Sequence, residues 1–280
     1  MASLKNLSIK QVKLIRSHLE KYFFNERTNI ALRRVLQSKQ GQLFKSRVNR
    51  AIKTQLLRAA EVDEIIPIVE SVKKQDEDLY RDVKRGWIPF VDAFPGGKAG
   101  ILAFLFFAAD QGGQTGLDKM VPQHNFDLRN EALKNIVESR LTFLVDSVDK
   151  TGLEWSINKI DTWAKQGLSA TEIVRLLRKE IPIIVENRSE LIAETESMYL
   201  MNKLEMEVYK RNKIKQVIWR TAEDERVCTT ACVPNEMAGP TEVGKEFPSG
   251  QERPPAHQFC RCYLLPVLPH YLEGIVWTGE

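Results

Sequence analysis

Apolar residues recur at helical spacing through the first two thirds of the chain. Leu7, Val12, Ile15, Leu19 and Phe23 follow one another with Lys and Arg between them, the pattern of an amphipathic helix. A second stretch, from about Phe44 to Arg85, carries Val48, Ile52, Leu56, Leu57, Ile66 and Val69, with Pro67 as a kink or break. Its end, 73–85, is densely charged in both signs and reads as exposed helix. The run 99–109 is apolar apart from Gly100. As a helix it would rise only about 16 Å against a bilayer core of roughly 30 Å. It therefore predicts a helix buried in an interior or an oligomer interface, closed by Gly112, Gly113 and Gly116. Asp127 caps a helix with the stripe Leu133, Ile136, Val137, Leu141, Leu144, Val145 and Val148. Thr151 opens another through Trp155, Ile157, Ile160 and Trp163, ending at Gly167. Ser169 and Glu172 form a capping box for the next helix, which Pro182 ends or kinks. A longer helix follows over about 185–212.

The period changes after Ile214. Residues 215–221, KQVIWRT, alternate, with Val217 and Trp219 on one face of a strand. Residues 236–255 are rich in Gly, Pro and polar side chains, and 262–267 is apolar enough for a second strand. The expected fold class is mainly α, with elongated helical N-terminal and central regions and a small C-terminal α+β module containing Cys and His. The expected boundaries are 1–125 for a basic helical region, 126–213 for a central helical part and 214–280 for the Cys/His module.

Composition narrows the classes. The chain has 280 residues, 43% hydrophobic and 28% charged, the profile of a globular protein that can bury a core without disulfides. Collagen-like, disordered and disulfide-rich secreted chains are excluded. No apolar signal core follows MASLKNLSIK, so export by that route is not expected. The net charge of +4 hides an asymmetry: residues 1–60 hold fourteen Lys or Arg against Glu20 and Glu26 alone. Arg33, Arg34, Lys45, Arg47, Arg50 and Lys53 are the candidate contacts to DNA phosphates or an acidic protein surface. A solvated helix face is the competing reading. The segment FPGGK at 94–98 suggests a phosphate loop, but the spacing refuses it. The G-x-x-x-x-G-K-[ST] pattern would put its first Gly at Asp92 and its hydroxyl at Ala99.

The four cysteines, Cys228, Cys232, Cys260 and Cys262, all lie in the last quarter, with His257 three residues before Cys260. Residues i and i+2 of a strand share a side, so Cys260 and Cys262 can present two sulfurs to one centre. Zinc takes four thiolate or imidazole ligands in a tetrahedron, and five candidates are present: Cys228, Cys232, His257, Cys260 and Cys262. Two disulfides or four reduced thiols are the alternatives. A catalytic thiol with His257 as base lacks a triad context, and a catalytic zinc would need an open position with a base such as Glu223 or Asp224. Glu194 and Glu196 flank Thr195 but diverge on a helix, and one of them is expected to pair with a basic neighbour such as Arg188 or Lys203. His18, His124 and His270 are isolated, and Trp219 reads as core.

These stretches resemble a known family. The run RSELIAETESM at 188–198 is followed by VIWRTAEDERVCTTAC at 217–232, Gly239, KEFP at 245–248 and PPAHQFCRC at 254–262. The order is similar to that of the phage Mu F-like minor head protein family over roughly residues 126–268. The resemblance implies a virion protein of a tailed phage or prophage, located in the phage head and in the host cytoplasm during assembly. It implies low copy number near the portal, in head assembly and DNA packaging or ejection. Portal, major capsid and scaffold proteins would be its partners, with non-specific double-stranded DNA as another and no membrane. Asp224, Arg226, Cys228, Cys232, His257, Cys260, Arg261 and Cys262 match the family's characteristic positions, with Cys228 and Cys232 one residue further apart than a C-x-x-C. No enzyme activity is expected. The rival expectations are a DNA-binding protein using the basic N-terminal arm, and an effector or nuclease-type enzyme carrying the same module. A protein made in a reducing cytoplasm favours a structural zinc over disulfides.

Overall fold

Seven helices and three short strands make up the described part of the computed structural model, which covers residues 27–61, 65–66, 84, 87–120 and 131–268. The helices are α1 (27–37), α2 (Lys39–Ala59), α3 (Phe90–Ala93), α4 (Gly97–Met120), α5 (Glu131–Lys165), α6 (Ala170–Arg211) and α7 (Cys232–Met237). The strands are β1 (Gln216–Arg220), β2 (Pro240–Glu242) and β3 (Tyr263–Pro266). The protein is thus mainly α with a small C-terminal α+β region, as the periodicity predicts. The expected helix through Leu7 and Phe23, the break at Pro67, the charged end 73–85 other than Lys84, the Asp127 cap, and His18, His124 and His270 lie outside the described residues. Among the described residues, no helix is long and apolar enough to cross a membrane.

Contacts divide the chain into two units, each drawing on several stretches. One contains the described residues between 39 and 106 together with 131–193. Here α2 buries Phe44, Val48, Ile52 and Leu56, and Phe44 stacks on Phe104 with ring centroids 3.8 Å apart. Asp149 of α5 ties this unit together. Its Oδ1 accepts from Gln55 Nε2 (2.6 Å), the Phe90 backbone N–H (2.8 Å) and Trp87 Nε1 (3.0 Å). The two helices expected on either side of Thr151 are one continuous α5. Thr151 bonds back to the Ser147 carbonyl at 2.8 Å instead of starting a new helix. Gly152 leaves room for the Trp87 ring, which would lie 2.8 Å from an added Cβ. The Ser169–Glu172 capping box is present, with the Ser169 N–H donating to Glu172 Oε2 at 2.9 Å. Pro182 neither ends nor splits α6, which continues on both sides of it although proline supplies no N–H there.

The other unit contains, of the described residues, 27–38, 107–120 and 194–268. The expected stop of α4 at Gly112–Gly116 does not occur, because these glycines serve close packing. A Cβ on Gly112 would lie 2.3 Å from Met201 Cα and 2.7 Å from its carbonyl oxygen, and one on Gly116 would lie 3.1 Å from Glu205 Cα. The two backbones meet where only hydrogen fits. Gly112→Ala should therefore destabilise the chain by about 1–3 kcal/mol despite alanine's better helix propensity. A urea titration checks this, and an unchanged or higher midpoint would contradict it.

The sheet of this unit is antiparallel in the order β2–β1–β3, with Trp219 opposite Leu264 and Val217 opposite Thr241 and Pro266. Val217 and Trp219 point inward, as their alternation predicts, into a core with Met206, Val208, Tyr209, Phe247 and Leu264. Trp219 meets Phe247 edge-on at 5.3 Å. The outer edge of β3 is closed by helix side chains rather than another strand. Lys119 Nζ (3.1 Å) and the Tyr209 hydroxyl (3.4 Å) both donate to the Leu264 carbonyl, and Asn202 Nδ2 donates to the Cys262 carbonyl at 3.3 Å.

Candidate metal centre

The segment after β1 turns sharply, with Glu223 in a left-handed conformation (φ 56°), and leads to Cys228. A spacing of four places Cys228 and Cys232 on one side of the turn that opens α7. The Cys232 N–H donates to Cys228 Sγ at 3.3 Å. The chain returns through a loop closed by Asn235, whose amide exchanges two hydrogen bonds with Ser249 at 2.7 and 2.9 Å. His257, Cys260 and Cys262 follow, and Cys262 runs directly into β3.

All five predicted donors converge. Cys228, Cys232 and His257 form one group, and Cys232, Cys260 and Cys262 a second, with the donor atoms in each group within 4.8 Å of one another. Cys232 belongs to both. Its Sγ lies 3.8 Å from Cys260 Sγ and 3.2 Å from His257 Nε2. Two thiolates on a tetrahedral zinc with bonds of about 2.3 Å stand about 3.8 Å apart. The four thiols are free of disulfides; Cys232, Cys260 and Cys262 are buried and Cys228 is partly exposed. This cluster could bind a metal ion.

The electrostatics are those of crowded thiols. Burial works against ionising Cys228, but the backbone N–H groups of Cys232 and Ala231 outweigh it and bring the thiol down to about 7. Bonds from the Cys232 and Cys262 side chains pull Cys260 far down, while the same contacts with Cys260 push Cys232 up. Several thiols sharing one small volume cannot all ionise unless a cation compensates them.

Charged side chains brace the loop. Glu194, buried on α6, accepts from Arg226 at 3.1 and 3.2 Å and lies 3.8 Å from Arg261, which bonds Asp224 at 2.5 Å. Glu194 thus pairs with basic side chains, as expected for one of the two acids, but with Arg226 and Arg261 rather than with Arg188 or Lys203. Lys203 bonds Glu207 at 3.1 Å, and Arg188 bonds Thr151. The Glu194 partners come from the cysteine loops instead, because α6 packs against them. Phe259 holds a left-handed conformation (φ 58°), unusual for so large a residue. Its N–H donates to Thr195 Oγ1 at 3.4 Å, and its ring lies 5.0 Å from the Arg226 guanidinium. Local sequence reading missed Glu194 and Thr195 as parts of the site. The only signal for them was the IAETE stretch.

The basic candidates divide between the two units. Arg33 and Arg34 are exposed on α1, in one unit, while Lys45, Arg47, Arg50 and Lys53 lie on α2 in the other. Arg50 and Lys53 are exposed. Arg47 is half-buried, with its guanidinium 3.1 Å from where a Cβ on Gly100 would stand. Lys45 lies 3.6 Å from Glu190 and, with Asn49, Lys53, Pro182 and Ser189, lines a cleft of about 500 Å³.

No family model, curated protein or solved structure matches the chain.

Proposed function

We propose that this chain is a minor head protein of a tailed phage or prophage, acting near the portal in head assembly, and that a structural zinc ion holds its C-terminal module together. One observation carries the reading. The stretches through which the sequence resembles the Mu F-like family are far apart in the chain, yet their residues meet around one centre. Glu194, Thr195, Asp224, Arg226, Arg261 and the five Cys/His donors form a single braced cluster. The donors are of the nitrogen–sulfur kind that suits zinc, and the burial of Cys232, Cys260 and Cys262 suits a structural ion rather than a reactive one. The residues assigned here bind and brace; none is assigned a catalytic role. An activity abolished by substituting His257 or Glu223 would overturn this part of the reading.

Partners of this proposal are the portal, major capsid or scaffold proteins. Co-expression with the portal protein of the same phage should give a complex that survives size exclusion. Elution of the chain alone, with portal rings that lack it, would count against the role. The zinc is tested separately by elemental analysis. About one zinc per chain is expected, and well under that, with melting indifferent to a chelator, would overturn it.

A second reading adds duplex DNA as a partner of the basic N-terminal segment. It is favoured by the exposure of Arg33, Arg34, Arg50 and Lys53. Binding through phosphates should weaken steeply with salt and ignore sequence; no binding at low salt would exclude it.

A further inference from the structure

The donors of the candidate centre fall into two groups of three: Cys228, Cys232 and His257 in one, Cys232, Cys260 and Cys262 in the other. Cys232 is the member they share. Resting on the reading of this cluster as a metal centre, we propose that it also takes two copper(I) ions, one in each group, bridged by the Cys232 sulfur, and that they displace the zinc.

A tetrahedral ion uses four donors and leaves one of the five over. Two three-coordinate ions that share one sulfur use all five. Copper(I) is a soft ion that thiolates select, and three donors satisfy it. Zinc in either group alone would need a fourth ligand. Water has little access to the second group, because Cys232, Cys260 and Cys262 are at most 1% exposed. A three-coordinate ion there needs none.

The geometry places Cys232 between the groups. Its Sγ lies 3.2 Å from His257 Nε2 on one side and 3.8 Å from Cys260 Sγ on the other. Three sulfurs bound in one plane at about 2.3 Å stand about 4 Å apart, close to the observed separation. A thiolate sulfur has lone pairs enough for two ions. Each group is also held by its own local structure. Cys228 is fixed by the turn that opens α7, where its Sγ accepts the Cys232 N–H at 3.3 Å. The His257 ring is oriented by the Gln258 carbonyl, 2.7 Å from Nδ1, leaving Nε2 toward Cys232. Cys260 and Cys262 are two residues apart in chain entering β3, a spacing that puts both sulfurs on one side.

Charge allows the exchange. Two monovalent ions bring the same total charge as one divalent ion, so the buried sulfurs are compensated equally. No electron moves, because copper enters as copper(I), and each thiol that binds gives its proton to the buffer.

The full chain is loaded with zinc, then titrated without oxygen with copper(I) supplied as its acetonitrile complex, in the presence of a competing copper(I) chelator. Native mass spectrometry counts both metals. The wild-type chain should take up about two copper ions and lose its zinc. Cys262→Ser and His257→Ala each remove a donor from one group, so each should retain about half the wild-type copper. Cys232→Ser removes a donor from both and should retain none. A wild-type chain that takes zinc but holds a single copper ion, or C262S and H257A chains that keep both, would overturn the bridged pair and leave the zinc reading standing. Should C232S fail to fold, the wild-type count and the two other variants decide. A wild-type chain that takes up neither zinc nor copper would instead defeat the metal reading, and the bridged pair with it.

Discussion

Replacing Lys119 with Met alone is expected to destabilise the chain by about 3–5 kcal/mol, while adding Glu205→Leu should recover most of that loss. Lys119 Nζ and Glu205 Oε2 are 2.8 Å apart, with side chains 0% and 1% exposed. Burial pushes the Lys119 ammonium down and the Glu205 carboxyl up, so each charge depends on the other for compensation. In K119M the carboxylate stays in the core without its cation. A carboxyl raised on folding holds its proton more tightly in the folded state than in the unfolded one. The stability of K119M should therefore fall as pH rises from below the ordinary carboxyl value through the raised one. Lys119 also donates to the Leu264 carbonyl, so its loss uncovers the edge of β3. Urea titrations of the single and double variants at acid and neutral pH test the account. A double variant as unstable as the single, or a K119M loss that does not grow with pH, would contradict it.

Removing the proposed metal ion is expected to be the second large perturbation. Structural zinc contributes about 10–16 kcal/mol of apparent free energy in isolated finger peptides. Here part of the module's stability comes from the core of Trp219, Phe247 and Leu264, so a smaller but still decisive loss is expected. Chelation, or Cys232→Ser, should expose the amides of β1 and β3 to rapid hydrogen exchange. It should also loosen the segment tied to α6 by Glu194, Thr195 and Asn202. Exchange in α2 and α5 provides the internal comparison. Unchanged protection of β1 and β3 after complete metal removal would refute a structural role for the ion.

Periodicity located the long helices α2, α4, α5 and α6 and the strands β1 and β3 because the buried positions obey simple geometry, while α1, α3 and α7 were not read from it. Val48, Ile52 and Leu56 line α2, and Val217 and Trp219 alternate into the sheet core. It misjudged where helices stop. Gly112 and Gly116 look like terminators, yet each is placed by a neighbour too close for a Cβ to fit without a shift, and that neighbour is distant in sequence. Strand β2 was missed because its three residues, Pro240–Glu242, carry no alternation of their own and take their conformation from pairing with β1. The five donors of the centre were legible because thiols and imidazoles are rare and clustered. The Glu194–Arg226–Arg261–Asp224 brace and the buried Lys119–Glu205 pair were not. Charged residues are common, and only the tertiary fold decides which of them meet. The six basic candidates show the converse, since local charge density alone did not reveal that Lys45 lies beside Glu190 or that Arg47 packs near Gly100.

The proposed place of this chain in a phage head is tested most directly by quantitative mass spectrometry of purified heads, empty and DNA-filled, from the phage whose genome carries it. The account predicts a few copies per particle. Complete absence from both empty and filled heads would contradict it and favour the DNA-binding or effector alternatives.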